Sequence, residues 1–243
     1  MPVILGYTSF VIPCIMKLRN AKDTLRKITK PLFKSAYPKG IINIENILKN
    51  YMDTALLHTI NTDGRINSIY DENSVIKLLE AHYGDSYIQK PSNTRHWYDL
   101  KIKSSDMWIP CNIKVSIGGT DNALCKKALV YSLTDLSEDK IPKYMSFNKM
   151  IELIETNKNE TRNCNKEYYY IYVDKKDGSI LVRSLCDIKN YVSNPQNWLQ
   201  INWKKEKTTT IDSHEDIDAA YFKLRSTLSK SLQKIIDSSN KLL

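Results

Sequence analysis

The sequence predicts a mixed α/β fold with a mixed central β-sheet flanked by helices, on three observations. His96–Ile102 and Trp108–Ser116 alternate along their length as neighbouring strands do. Glu167–Val173 (EYYYIYV), the turn Lys175–Gly178 (KKDG) and Ser179–Leu185 (SILVRSL) carry the signature of a hairpin. Apolar stripes at helical spacing lie both before and after these strands.

In chain order, Met1–Met16 is apolar, but Pro13 interrupts it, no basic residue precedes it and it is too short for a bilayer, so it reads as a buried or strand-like arm. Ala21, Leu25 and Ile28 then mark a helix closed by Pro31. A second helix runs from about Ile44 to His58, with Ile44, Ile47, Leu48, Tyr51 and Ala55 on one face, before a turn at Asn61–Gly64. A third, roughly Asp71–Tyr83, aligns Val75, Ile76, Leu79 and Tyr83 with Glu72. Gly84–Thr94 reads as a loop. In the second strand Ile109, Cys111, Ile113 and Val115 take one face, and Pro110, Asn112, Lys114 and Ser116 the other. Gly118 and Gly119 break it, and a helix is expected over Thr120–Leu133. After the hairpin come a short helical piece, a strand at Asn197–Trp203 and a long amphipathic helix marked by Ile217, Tyr221, Leu224, Leu228, Leu232 and Ile235. No repeat or low-complexity linker divides the chain, so residues 1–243 are taken as one domain: a helical N-terminal region over 1–90, a core over about 70–135, and a hairpin and long helix over 166–243.

The chemistry of the chain narrows its function. Five scattered cysteines with no CxxC spacing exclude a thiolate metal centre or a disulfide framework, and four histidines, none at i, i+4, exclude a zinc-hydrolase helix. No stretch reaches membrane length, which points to a soluble protein in the cytoplasm. Net charge is +9, which favours a polyanionic partner. Between Lys17 and Lys39 eight basic residues stand against Asp23 alone, although a solvated helix face would look the same.

Metal-assisted phosphodiester hydrolysis needs oxygen ligands for the ion and a cation near the attacking water and the developing charge. Asp99 on the first strand, with Asn112 and Lys114 two apart on the second, offers that set; a hairpin around Ser104 and Ser105 sets Asp99 opposite the neighbourhood of Pro110. Over about Glu72–Leu133 the chain resembles the PD-(D/E)xK nuclease superfamily, and within it the type II restriction endonucleases. The resemblance implies that Asp99 bridges a Mg2+ ion, that Asn112 gives it a second oxygen, that Lys114 polarises the water or neutralises the transition state, and that Glu72 matches the helix acid of some members. Tyr98 stands where proline is frequent, and Asn112 where an acid is usual, which removes one negative charge from the metal site.

Each residue has a plainer reading. Asp99 fits a surface acid paired with Lys101 or Lys103, Asn112 and Lys114 the polar face of an edge strand, and Glu72 a partner of the helix dipole. Asp187-Ile188-Lys189 is a literal DxK, but Ile188, Tyr191 and Val192 recur at helical spacing, and Asp177 upstream belongs to a turn. DNA contacts are expected from Ser116, Gly118, Gly119, Thr120 and Asn122, with Asn157–Asn165 and Asn194–Lys205 as further sources of base-reading side chains. The expectation is a Mg2+-dependent restriction endonuclease that cuts double-stranded DNA as a homodimer. The alternatives are a repair or junction-resolving nuclease and a DNA-binding protein whose nuclease site has decayed.

Overall fold

The alternation of Met107–Ser116 builds the centre of the fold. This strand, β3, buries Ile109, Cys111, Ile113 and Val115 while Asn112, Lys114 and Ser116 stay half-buried on the other face. The computed structural model describes residues 37–52, 64–92, 96–211 and 215–240, all within the unit Ala36–Leu243. The expected N-terminal arm, first helix and most of the basic stretch lie outside the described residues.

The architecture is mixed α/β. Five strands form one sheet in the order β1 (Ile88–Gln89), β2 (Leu100–Ser104), β3, β5 (Tyr169–Asp174) and β6 (Ile180–Ser184). Only β3 and β5 run parallel. A second sheet has the order β4 (Thr120–Asn122), β8 (Trp198–Asn202), β7 (Tyr191–Asn194) and is antiparallel. β5 is buried at every position, as a strand covered on both faces must be. Its Tyr169, Ile171 and Val173 join the core that holds Ile41, Ile44 and Leu48 of α1 (Lys39–Tyr51) and Val75, Ile76 and Leu79 of α2 (Gly64–Tyr83). Tyr170 and Tyr172 face the opposite core, filled by α3 (Lys126–Leu133), α4 (Phe147–Asn157), the second sheet, Trp203 of the short α5 (Trp203–Glu206) and α6 (Ile217–Asn240). Each fully buried aliphatic chain in these layers is worth about 1.5–3 kcal/mol.

Several elements differ from expectation for local reasons. α1 starts at Lys39 rather than Ile44 because the Pro38 carbonyl accepts from Ile41 and Ile42 N–H; beyond Met52 the expected helix lies outside the described residues. α1 also needs Gly40, where a Cβ would stand 2.9 Å from the Lys103 carbonyl oxygen. α2 begins at Gly64, about two turns before Asp71, and the expected loop 84–94 includes β1. Thr120–Asn122 is a strand, not the start of a helix. Gly118 and Gly119, with φ of 86° and 141°, swing the chain onto β8, and Asn122 Oδ1 accepts from Leu124 N–H, which delays α3 to Lys126. The helical piece after the hairpin is a 3-10 turn, Leu185–Asp187, followed by β7. α4 is an addition to the expected elements, capped by Ser146 Oγ on Lys149 N–H. The hairpin β5–β6, β8 and the long α6 stand where expected, although Leu232 at the far end of α6 is exposed. No helix among the described residues is long and apolar enough to cross a membrane.

Candidate functional site

The site forms where β2 and β3 stop pairing as strands. Their ladder runs from Ser104↔Met107 to Leu100↔Cys111. Lys101 therefore faces Pro110, two residues from the expected register, and a shift of two keeps every side chain on its face. Asp99, at the mouth of β2 rather than mid-strand, donates its N–H to Cys111 O (2.9 Å). Its carboxylate then replaces the next backbone acceptor: Oδ2 takes Ile113 N–H (2.7 Å) and Asn112 Nδ2 (2.6 Å).

Lys114 lies on the same face of β3 as Asn112, and β5 places Tyr172 and Tyr170 beside them. β3 is thus an interior strand, which removes the edge-strand reading. Lys101 is bound to Glu138 at 2.6 Å, which removes it as the partner of Asp99. Burial holds the Asp99 carboxyl above its usual range, opposed by the charge of Lys114 and by Ile113 N–H.

Glu72 sits in the third turn of α2, past the reach of the helix N-terminus, so the dipole reading fails. The acid on the fully buried stripe of α2 is Asp71, bound by Lys175 at 2.6 Å. Glu72 instead lines a cleft of about 390 Å³ with Asp99, Tyr98, Asn73 and Lys90. Burial pushes its carboxyl up to about 7; Lys114 and a bond from Ser68 Oγ (3.1 Å) oppose this, while Asp99 and Asp121 add to it. A second cleft, about 270 Å³, is lined by Asn112, Lys114, Asn122, His96 and Trp97.

Asp121 is the residue that sequence reasoning missed. It belongs to β4, and burial raises its carboxyl against the charge of Lys114 and the nearby Ser116 hydroxyl and Trp203 indole. Lys114 is thus the common counter-charge of Asp99, Glu72 and Asp121. The helix expected over Thr120–Leu133 took in Asp121 without singling it out; its position just after the Gly118–Gly119 break was the available signal.

Whether the residues suit a hard cation turns on their free oxygens. Asn112 Oδ1 is buried with no hydrogen-bond partner, an arrangement that costs about 1–3 kcal/mol unless something takes the lone pairs. The Nδ2 of the same amide meets the Asp99 carboxylate, and a carboxylate with an amide oxygen is a fitting pair of ligands for Mg2+. Among the described residues no three His, Cys, Asp or Glu side chains close on one point, so water would complete the coordination.

The residues expected to contact DNA are partly committed to the fold. Gly119 O accepts from Trp203 N–H, Ser116 Oγ bonds Tyr172 Oη at 3.3 Å, and Thr120 and Asn122 are exposed on β4. Asp187 of the DxK segment is buried and ion-paired with Arg162, and exposed Lys189 donates to Thr210 O, so the two share no site. No protein-family model matches the chain, and no curated protein matches it.

Asn112→Asp gives the first prediction. A second carboxylate against Asp99 should lower the melting temperature without metal and enlarge the rise produced by Mn2+, because ligand that binds only the folded state stabilises it by mass action. Thermal melts with and without Mn2+ measure this. A folded variant with no Mn2+ response, beside a wild type that responds, removes Asn112 from the ligand set.

Proposed function

We propose that this chain is a Mg2+-dependent endonuclease of PD-(D/E)xK-like fold, and specifically a type II restriction endonuclease that cuts double-stranded DNA as a homodimer. The observation that carries the reading is the junction of Asp99 and Asn112 at 2.6 Å, with Lys114 on the same strand face and Glu72 in the adjoining cleft. It joins the sequence resemblance to a geometry suited to phosphodiester hydrolysis, and net charge +9 suits a DNA partner.

Asp99 and Asn112 would hold Mg2+, which when bound supplies Lewis-acid stabilisation of the phosphate and a more acidic water. Asp99 is fixed for this by Ile113 N–H, so its carboxylate is preorganised by backbone rather than by a mobile side chain. Lys114 offers a cation in a partly desolvated setting, where it stabilises charge growing on the phosphate oxygens. Glu72, with its carboxyl near 7, is suited to take or return a proton of the attacking water at neutral pH.

A mixed-sequence duplex incubated with the protein and Mg2+ should yield discrete fragments. Excess chelator should abolish them, and Ca2+ should support binding without cutting. Undiminished cutting in chelator would overturn the metal mechanism, and cutting only at branched DNA would favour a junction-resolving nuclease. The second reading, a decayed DNA-binding protein, is favoured by one observation: the Asn112 amide donates to the carboxylate oxygen that would otherwise face a cation. It predicts DNA binding without cleavage in any divalent metal.

A further inference from the structure

Asp121 has no role in the resemblance, and its setting asks for one. It occupies the middle of β4, opposite Ile201 of β8, with exposed Thr120 and Asn122 on either side, so strand alternation turns it inward. Its Oδ2 is buried and makes no hydrogen bond of good geometry, as is true of Trp203 Nε1, although the Ser116 hydroxyl and the Trp203 indole lie near enough to favour its charged form. A carboxylate oxygen is the side-chain atom least suited to dry, unpaired burial. The other orphaned oxygen of the site is that of Asn112, the position where the family usually has an acid.

We propose that Asp121 supplies the negative charge that Asn112 lacks, and acts as a positioning residue that balances Lys114 and a divalent cation in the site. The inference rests on the nuclease reading. With Asn112 neutral, Asp99 alone does no more than cancel Lys114, and a divalent cation would enter against no net negative charge. With Asp121 counted, two carboxylates stand against one ammonium and leave net negative charge for a divalent ion, to which Glu72 adds when ionised. β4 follows directly on the strand that bears Lys114, and two glycines turn the chain between them onto β8. An acid displaced from β3 to β4 therefore still acts on the same lysine.

The test moves the charge back. Wild type, Asp121→Asn, Asn112→Asp and the double variant are titrated with Mn2+ alone by calorimetry, with folding followed by circular dichroism. Asp121→Asn should bind Mn2+ at least about tenfold more weakly, about 1.4 kcal/mol. The double variant, which restores one acid on β3, should return to within a few-fold of wild type. Equal Mn2+ affinity in wild type and Asp121→Asn, or a double variant no better than Asp121→Asn, overturns the proposal. Failure of Asp121→Asn to fold overturns it too: an isosteric amide is easier to bury than an unpaired carboxylate, so loss of the fold would show that the charge serves Ser116 and Trp203 instead. DNA cleavage by the wild type separates the two levels. A wild type that cuts with Mg2+ while Asp121→Asn binds Mn2+ normally removes only the role of Asp121, whereas a wild type that neither binds Mn2+ nor cuts removes the nuclease reading as well.

Discussion

Lys114→Ala should lower the single-turnover rate of DNA cleavage by two to three orders of magnitude or more while leaving specific DNA binding nearly intact. Loss of one preorganised stabiliser of transition-state charge costs about 2.7–4 kcal/mol, and among the described residues Lys114 is the cation whose charge acts on Asp99, Glu72 and Asp121 together. A single lysine among many phosphate contacts changes affinity modestly and the salt slope by about one unit at most. Asp99→Ala should match it in rate for a different reason: Ile113 N–H and Asn112 Nδ2 lose their shared acceptor, and the anionic ligand of the cation goes with it. Lys101→Ala is the control. Its partner is Glu138 outside the ligand set, so cutting should persist near the wild-type rate. A Lys114→Ala protein that is folded, binds DNA and cuts normally would remove Lys114 from the reaction.

Asp99, Asn112 and Lys114 were legible because strand alternation has a period of two and survives errors of register: the expected pairing was off by two residues, which preserves facing. The β5–β6 hairpin was legible for the same reason, with turn chemistry added at Lys175–Gly178. β4 and β7 were not. Leu124, Ala128 and Tyr131 do repeat at helical spacing, and Ile188, Tyr191 and Val192 imitate a helix, but Thr120–Asn122 and Tyr191–Asn194 both pair with β8. Such pairing is a tertiary gain that local pattern does not register. Asp121 was lost with β4. Glu72 was placed on the right helix beside the wrong neighbours, since the stripe that is fully buried runs through Asp71.

Arg162→Ala should be among the most damaging single changes to stability in the described fold. The Arg162 guanidinium pairs with both Glu167 and Asp187, at 2.7 Å and 2.8 Å from Nη2, and donates to Glu215 O at 2.9 Å. Both carboxylates are at most 1% exposed, and Asp187 also accepts from Tyr37 Oη and Glu215 N–H, while Ser184 Oγ donates to Glu167. Burial works against the guanidinium charge, yet the bonds to Asp187 and Glu167 hold its pKa above the usual value. Removing the arginine leaves two buried carboxylates without their cation, a loss of about 3–5 kcal/mol. For a chain of this size that is a fall in melting temperature of roughly 6–20 °C. The triple variant Arg162→Met, Glu167→Gln, Asp187→Asn removes all three charges together and should melt above Arg162→Ala, because no unpaired charge remains. The same network predicts how the DxK segment behaves. Asp187→Ala should lose cutting only in proportion to the protein that unfolds, with the rate per folded molecule unchanged, whereas Lys114→Ala should lose rate without losing fold. Thermal melts paired with single-turnover cleavage below each variant's melting temperature separate the two. Inactive but stably folded Asp187→Ala and Lys189→Ala, beside an active Lys114→Ala, would move the catalytic centre to that segment.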